Sequence, residues 1–158
     1  TTRCYVTPHS TYRKCLRIYY IKWLINHKKA VCEYNNNSIE IINFTHYAED
    51  DIDGNPYNCT FTVKVVSNGF QGIAECECDY NAWLKFVDNL DKLYNFKINV
   101  VTLNDISYGS KVTFNLDNSG HIDISGVLYG EHAEQSLHFS FATDQTCLVN
   151  FIDELKIY

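Results

Sequence analysis

The chain has 158 residues, of which 46% are apolar and 20% are charged, and this composition is typical of one globular domain and not of a disordered segment. No run approaches the roughly 20 uncharged apolar residues of a membrane-spanning helix, so we expect no membrane span and a cytoplasmic protein. The formal net charge of −6 is unevenly distributed along the chain.

The first 32 residues are basic and the rest of the chain is acidic. Residues 1–32 contain seven Lys and Arg and no acid, a charge of +7, whereas the other 126 residues contain six cations and all nineteen acids, or 6 − 19 = −13. We expect residues 1–32 to be a basic N-terminal extension and residues 33–158 to be a single domain. An acidic body attracts basic partners and repels nucleic acid, although many soluble domains are acidic for solubility alone.

Alternating apolar and polar residues predict three strands after the extension. They cover residues 38–44, 60–66 and 70–78. Ser67-Asn68-Gly69 is typical of the hairpin turn that joins the second strand to the third. The apolar spacing then changes to that of an amphipathic helix between Trp83 and Tyr94, and Asp79 stands at its N-cap position.

The second half of the chain repeats this plan. Strands are predicted at residues 111–116, 121–129 and 135–142, with a turn at 117–120. Leu148, Phe151, Ile152 and Leu155 predict a second helix, and Asp144 is its expected cap.

The two halves match at an offset of 65 residues, because Asp79 falls on Asp144, Trp83 on Leu148 and Phe86 on Phe151. The match indicates a duplicated sheet-then-helix unit, covering about residues 38–95 and 98–158. The expected fold is therefore α+β, an antiparallel sheet with two helices packed on it.

Motifs for catalysis, cofactors or metals are not recognised in the sequence. Cys76-Glu77-Cys78 places two thiols on one strand face, where they are more often core residues than zinc ligands. Asp51-Ile52-Asp53-Gly54-Asn55 lacks the first Asp and the closing Glu of a calcium loop. A phosphate-binding glycine loop and a nucleophile elbow are also missing. We expect no metal, no cofactor and no enzymatic activity.

Acidic clusters remain as the candidate binding residues. They lie on a predicted loop, on the face of a predicted strand and around a second loop: Glu49, Asp50, Asp51, Asp53, Glu75, Glu77, Glu131 and Glu134. Single charge runs are usually only solvated, but several of them on a small domain favour binding to a basic protein.

Three stretches of the second half resemble a known family. They are Gly120-His121-Ile122-Asp123-Ile124-Ser125-Gly126, Leu137-His138-Phe139-Ser140-Phe141 and Thr143-Asp144-Gln145-Thr146-Cys147-Leu148, followed by Phe151-Ile152 and Leu155. The first half agrees more loosely, through Ile39-Glu40-Ile41, Phe70-Gly72 and Trp83-Leu84-Phe86. Over about residues 31–158 the chain is similar to the WapI family of bacterial immunity proteins. Cys147 is a departure, since an aromatic residue is expected there.

The resemblance implies a cytoplasmic immunity protein of contact-dependent growth inhibition or of a polymorphic toxin system. Such a protein binds and neutralises the toxic C-terminal domain of a sibling-cell toxin, often a nuclease. The matching residues resemble fold residues, so the acidic candidates rest on charge alone. Whether the protein forms oligomers is left open.

Two alternatives remain open at this stage. A small hydrolase with a cryptic site requires a pocket with convergent titratable groups. A nucleic-acid-binding module would use the basic arm, in which Tyr5, Tyr12, Tyr19, Tyr20 and Trp23 alternate with cations.

Overall fold

Residues 29–158 are described by a computed structural model, and they form two successive units, each a four-stranded antiparallel sheet followed by a helix. The first unit consists of β1 (Lys29–Tyr34), β2 (Asn37–His46), α1 (Ala48–Ile52), β3 (Cys59–Ser67), β4 (Phe70–Cys78) and α2 (Tyr80–Tyr94). The second consists of β5 (Val100–Asn104), β6 (Lys111–Leu116), β7 (His121–Tyr129), a 3₁₀ turn (Glu131–Ala133), β8 (Ser136–Asp144), a second 3₁₀ turn (Gln145–Cys147) and α3 (Leu148–Leu155). No helix in these residues is long and apolar enough to cross a membrane.

Both sheets form from strands whose alternate residues are apolar. The strand order is β1-β2-β3-β4 in the first sheet and β5-β6-β7-β8 in the second. Val63 lies opposite Ala74 in the first, Ile124 lies opposite Phe141 in the second, and all four side chains are buried. The predicted α+β fold with antiparallel pairing is confirmed; each unit has a sheet of its own in place of one shared sheet.

The helices join the two units into one core. Helix α2 packs on β5 and α3 packs on β1, so each helix covers the first strand of the other unit. A chain of aromatic rings crosses from one unit to the other, with centroids 5.9 Å apart for Trp83 and Phe86, 6.2 Å for Phe86 and Phe114, and 6.0 Å for Phe114 and Phe151. Apolar residues of both units therefore belong to one buried cluster.

The duplication predicted from the 65-residue offset is confirmed. Asp79 caps α2 by accepting hydrogen bonds from the amides of Asn81 and Ala82. Asp144, its counterpart, caps the 3₁₀ turn before α3 by accepting from the amide of Thr146. The matching helix positions share their burial: Trp83 and Leu148 are buried, as are Phe86 and Phe151, and Leu90 and Leu155.

The predicted boundary after residue 32 falls inside β1. Ala30 and Cys32 are fully buried and lie opposite Ile41 and Ile39. Residues 29–32 therefore belong to the first sheet, because their apolar side chains at alternate positions cover the core. The rest of the expected basic extension, residues 1–28, lies outside the described residues.

The strand connections differ in length at the two ends of the molecule. At one end, the turn end, hairpins close through residues 35–36, 68–69 and 117–120. At the other end, the loop end, the connections are residues 47–58 and 105–110, whereas the 130–135 connection lies beside residues 71–73 at the start of β4. The units meet at the loop end, where the Ile106 amide donates to the Glu77 carbonyl at 2.9 Å.

Candidate functional site

Six of the eight predicted binding carboxylates lie at or near the loop end. Glu49, Asp50 and Asp51 belong to α1, and Asp53 follows it directly. This segment was expected to be a plain loop, but its residues form one helical turn. Glu75 and Glu77 lie near the end of β4, and Glu131 and Glu134 belong to the 130–135 connection.

The loop end combines many carboxylates with no basic side chain. Residues 47–58, 75–79 and 105–110 contain 4 + 3 + 1 = 8 Asp and Glu and no Lys or Arg. The strand pairing of Cys59 with Cys78 places the 47–58 connection beside the end of β4. The contact between Glu77 and Ile106 then places the 105–110 connection beside it, whereas the 130–135 connection lies beside Gly72, nearer the start of β4.

Residues 47–58, which we call the α1 lobe, are held by hydrogen bonds at their base. The Asp51 carboxylate pairs with Nε2 of His46 at 3.0 Å and accepts from the Asn58 side chain at 2.8 Å. Asn58 in turn accepts from the Tyr80 amide at 2.7 Å. The His46 ring stacks on the Tyr80 ring with centroids 3.7 Å apart. The lobe is therefore fixed to the start of α2.

Three of the predicted carboxylates have partners within the protein. Asp51 belongs to the base of the α1 lobe, Glu75 accepts from Oγ1 of Thr62 at 3.0 Å, and Glu131 lies 3.5 Å from Nε2 of His132. Glu49, Asp53 and Glu134 are exposed. These three carboxylates are the better placed to meet a partner.

Asp105 organises the connection between β5 and β6. Its buried carboxylate accepts hydrogen bonds from the amides of Glu77 at 2.9 Å, Ser107 at 3.0 Å, Tyr108 at 3.0 Å and Ser110 at 3.2 Å. Burial by itself raises the pKa of Asp105, but the hydrogen bonds from Ser107, Glu77 and Tyr108 outweigh it and lower the pKa below its usual value. The carboxylate is thus a structural anion that ties β4 to the second unit.

The 130–135 connection contains unusual backbone geometry. His132 and Ala133 both have φ of +56°, in the left-handed region that disfavours residues with a side chain. The His132 ring contacts the Tyr108 ring edge-on, with centroids 6.1 Å apart. Strained residues of this kind occur more often at binding sites than elsewhere.

Exposed apolar side chains surround the carboxylates, and charge-based reasoning from the sequence missed them. The exposed fractions are 43% for Tyr47, 88% for Ile52, 45% for Tyr57, 41% for Ile106 and 38% for Tyr108. Tyrosine is enriched at protein interfaces, where its ring is buried and its hydroxyl binds a partner. The available signal was the pair of tyrosines that flank the acidic run, Tyr47 and Tyr57.

Buried thiols do not offer an activated nucleophile in the described residues. Burial raises the pKa of Cys59 and of Cys78 to about 12 and raises the pKa of Cys32 and Cys76 further. Each is therefore a neutral thiol at pH 7. Within residues 29–158 no three His, Cys, Asp or Glu side chains are placed to hold a metal ion.

A groove of about 360 Å³ runs between α2 and α3. Leu84, Val87 and Tyr158 contribute to its walls, and its charged residues include Asp91 and Lys156, whose side chains are paired at 2.9 Å. A hydrolase needs a free acid–base pair, which this groove does not supply.

The alternative of a nucleic-acid-binding arm concerns residues that are mostly outside the described part of the chain and stays a prediction.

Comparison with known proteins gives the family. No curated protein and no solved structure matches the chain. The model of the Immunity protein WapI-like family matches residues 33–157, which is most of the chain and includes both units. The predicted resemblance is confirmed, and the chain belongs to the WapI-like family of immunity proteins.

Proposed function

We propose that this immunity protein neutralises a basic toxin domain, a nuclease, by covering its active site or substrate cleft with the loop end. The observation that carries the proposal is the set of eight carboxylates without a Lys or Arg in the loop-end segments. The cleft of a nuclease is cationic because it binds phosphates, so carboxylates of an inhibitor can occupy the phosphate positions. Inhibition of this kind requires no catalysis by the immunity protein.

The charge of the whole body supports fast association with such a partner. Residues 29–158 contain seven Lys and nineteen acids, so their formal charge is 7 − 19 = −12. Opposite net charges accelerate encounter, and this acceleration falls as salt screens the charges. The free, buried thiols of Cys32, Cys59, Cys76 and Cys78 fit a reducing cytoplasm, where a delivered toxin would be met.

Charge reversal at the loop end tests the proposal. The probe is a catalytically inactive toxin domain, sought as the C-terminal domain of a large secreted protein encoded beside this gene, and the partner is the full 158-residue chain. We expect the variant Glu49→Lys/Asp53→Lys, at two exposed positions of the α1 lobe, to lower the association rate constant about tenfold or more at low salt. Stopped-flow fluorescence at several salt concentrations measures this effect.

The matched control is Asp123→Lys/Asp153→Lys, which changes the net charge equally at exposed positions on β7 and α3. We expect its association rate constant to fall much less. An equal loss in the two variants would contradict a contact at the loop end. Absence of a complex between the wild-type chain and the toxin domain at low salt would contradict the proposed function itself. Protection of cells that express the active toxin provides a second readout for the same variants.

A further inference from the structure

The duplicated units differ most in one equivalent connection. The α1 lobe joins β2 to β3 with twelve residues, 47–58, whereas the equivalent connection from β6 to β7 is the four-residue turn 117–120. The first unit therefore has 12 − 4 = 8 residues that its sister unit does without. Extra residues in a connection that a tight turn can close are more often functional than structural.

The extra residues present apolar side chains to solvent. No residue of α1 is buried. Ile52 is 88% exposed, and Tyr47 and Tyr57 at the two ends of the lobe are 43% and 45% exposed. An exposed apolar group of this kind, surrounded by polar residues, is typical of a protein–protein contact.

Hydrogen bonds inside the protein hold the α1 lobe in an ordered conformation before it binds a partner. The Tyr47 amide donates to the Asn58 carbonyl at 2.8 Å, which closes the lobe at its base. Asp51 is held by His46 and Asn58, and Asn58 is held by Tyr80. A surface that is already ordered loses little conformational entropy when it binds, so more of its contact energy appears as affinity.

We propose that the α1 lobe is the apolar anchor of the toxin complex: Tyr47, Ile52 and Tyr57 insert into an apolar pocket on the toxin domain, and basic residues rim that pocket. This proposal rests on the proposed function and adds to it the element that supplies affinity and partner choice. The basic rim follows from charge complementarity, because residues 47–58 contain four carboxylates and no cation. The carboxylates govern the association rate, and the apolar side chains govern the dissociation rate.

The test is the variant Tyr47→Ala/Ile52→Ala/Tyr57→Ala, in the full chain and against the same inactive toxin domain. We expect the dissociation constant to rise at least a hundredfold, mainly through faster dissociation, with an unchanged dependence of the association rate on salt. Surface plasmon resonance measures both rates. The matched control is Phe70→Ala/Phe96→Ala/Val100→Ala, three side chains that are 70%, 52% and 54% exposed at the turn end. We expect its dissociation constant to stay within threefold of that of the wild type.

The possible results separate this inference from the proposed function. A lobe variant that binds within threefold of wild type, while Glu49→Lys/Asp53→Lys binds more weakly, overturns the inference alone. Failure of the wild-type chain to bind overturns both. The single variant Ile52→Asp gives a second test. Because the Ile52 side chain is exposed in the free protein, the unfolding midpoint of the protein should not change. Light scattering tests whether the α1 lobe binds a second copy of this chain instead of the toxin domain. A dimer that forms with the wild type and is lost only in the lobe variant overturns the inference.

Discussion

Asp105 shows how a single side chain connects the two units. Its carboxylate accepts hydrogen bonds from four backbone amides, one on β4 and three in its own connection. A buried carboxylate with this many donors is stable only when it is ionised. Because the folded protein lowers the pKa of Asp105, ionisation of this residue favours the folded state.

Asp105 should therefore contribute to the acid sensitivity of the protein. Its contribution is present above the unfolded pKa of about 4 and is lost as the pH falls through the lower folded pKa. We expect Asp105→Asn to reduce the free energy of unfolding by about 2–3 kcal/mol at pH 7, because an amide NH₂ replaces an acceptor of two N–H groups. The difference from wild type should shrink below pH of about 4. Urea unfolding at pH 7 and at pH 3 measures this, with the exposed Asp123→Asn as control. A difference that is independent of pH would contradict it.

The glycines of the family resemblance are explained by backbone geometry. Gly120 has φ of +88°, which closes the turn before β7. At Gly126 a Cβ atom would lie 2.0 Å from the Lys111 carbonyl oxygen. This clash is with a backbone atom, which cannot move aside as a flexible side chain can. These two glycines are therefore explained by the turn and by the pairing of β6 with β7, and not by a partner contact.

At the scale of elements, the strands and long helices lie where their apolar periods predict them. Predicted strand 60–66 is β3 and predicted strand 111–116 is β6. Helix α1 and strands β1 and β5 were missed. Helix α1 and β5 have five residues each, and α1 has no side-chain cap, so neither offers a full period of the pattern that would reveal it. Strand β1 was missed because most of its residues were assigned to the basic extension.

The two equivalent caps should both contribute to stability. We expect Asp79→Ala to lower the free energy of unfolding by about 1 kcal/mol, because it leaves two amides at the start of α2 without an acceptor. We expect Asp144→Ala to lower it as well, because the amide of Thr146 loses its acceptor. The control is Asp88→Ala, an exposed acid of α2 paired with Lys92, for which about 0.3–0.5 kcal/mol is expected. Chemical denaturation of the three variants measures these differences. A loss at Asp79 or Asp144 no larger than that at Asp88 would argue against the capping role.

At the scale of the whole molecule, the exchange of helices makes each unit depend on the other. Helix α3 covers β1 and α2 covers β5, so a unit by itself would leave an apolar strand and an apolar helix face in water. The single buried cluster, which includes Trp83 and Phe151, is the physical basis of this dependence.

We therefore expect the two units to unfold together in one transition. In the variant Trp23→Phe, which leaves Trp83 as the single tryptophan, fluorescence of this buried side chain and far-UV circular dichroism should give the same midpoint in urea for the full chain. The fragment 98–158 should be unfolded when it is expressed alone. Two resolved transitions, or a native-like spectrum of the fragment, would show that the units are independent.

The sequence by itself determined the local features: the alternating strands, the amphipathic helices with Asp79 and Asp144 at their starts, the duplication and the excess of carboxylates. These features depend on neighbours within a few residues, or on a comparison of the chain with itself. The tertiary structure decided where the carboxylates lie. The units run in opposite directions, since β4 ends at the loop end while its counterpart β8 ends beside the turn 117–120. The carboxylates of the α1 lobe and of Asp105 consequently lie near the end of β4, whereas Glu134 belongs to a connection beside the start of β4, because contacts between residues far apart in the chain set that arrangement.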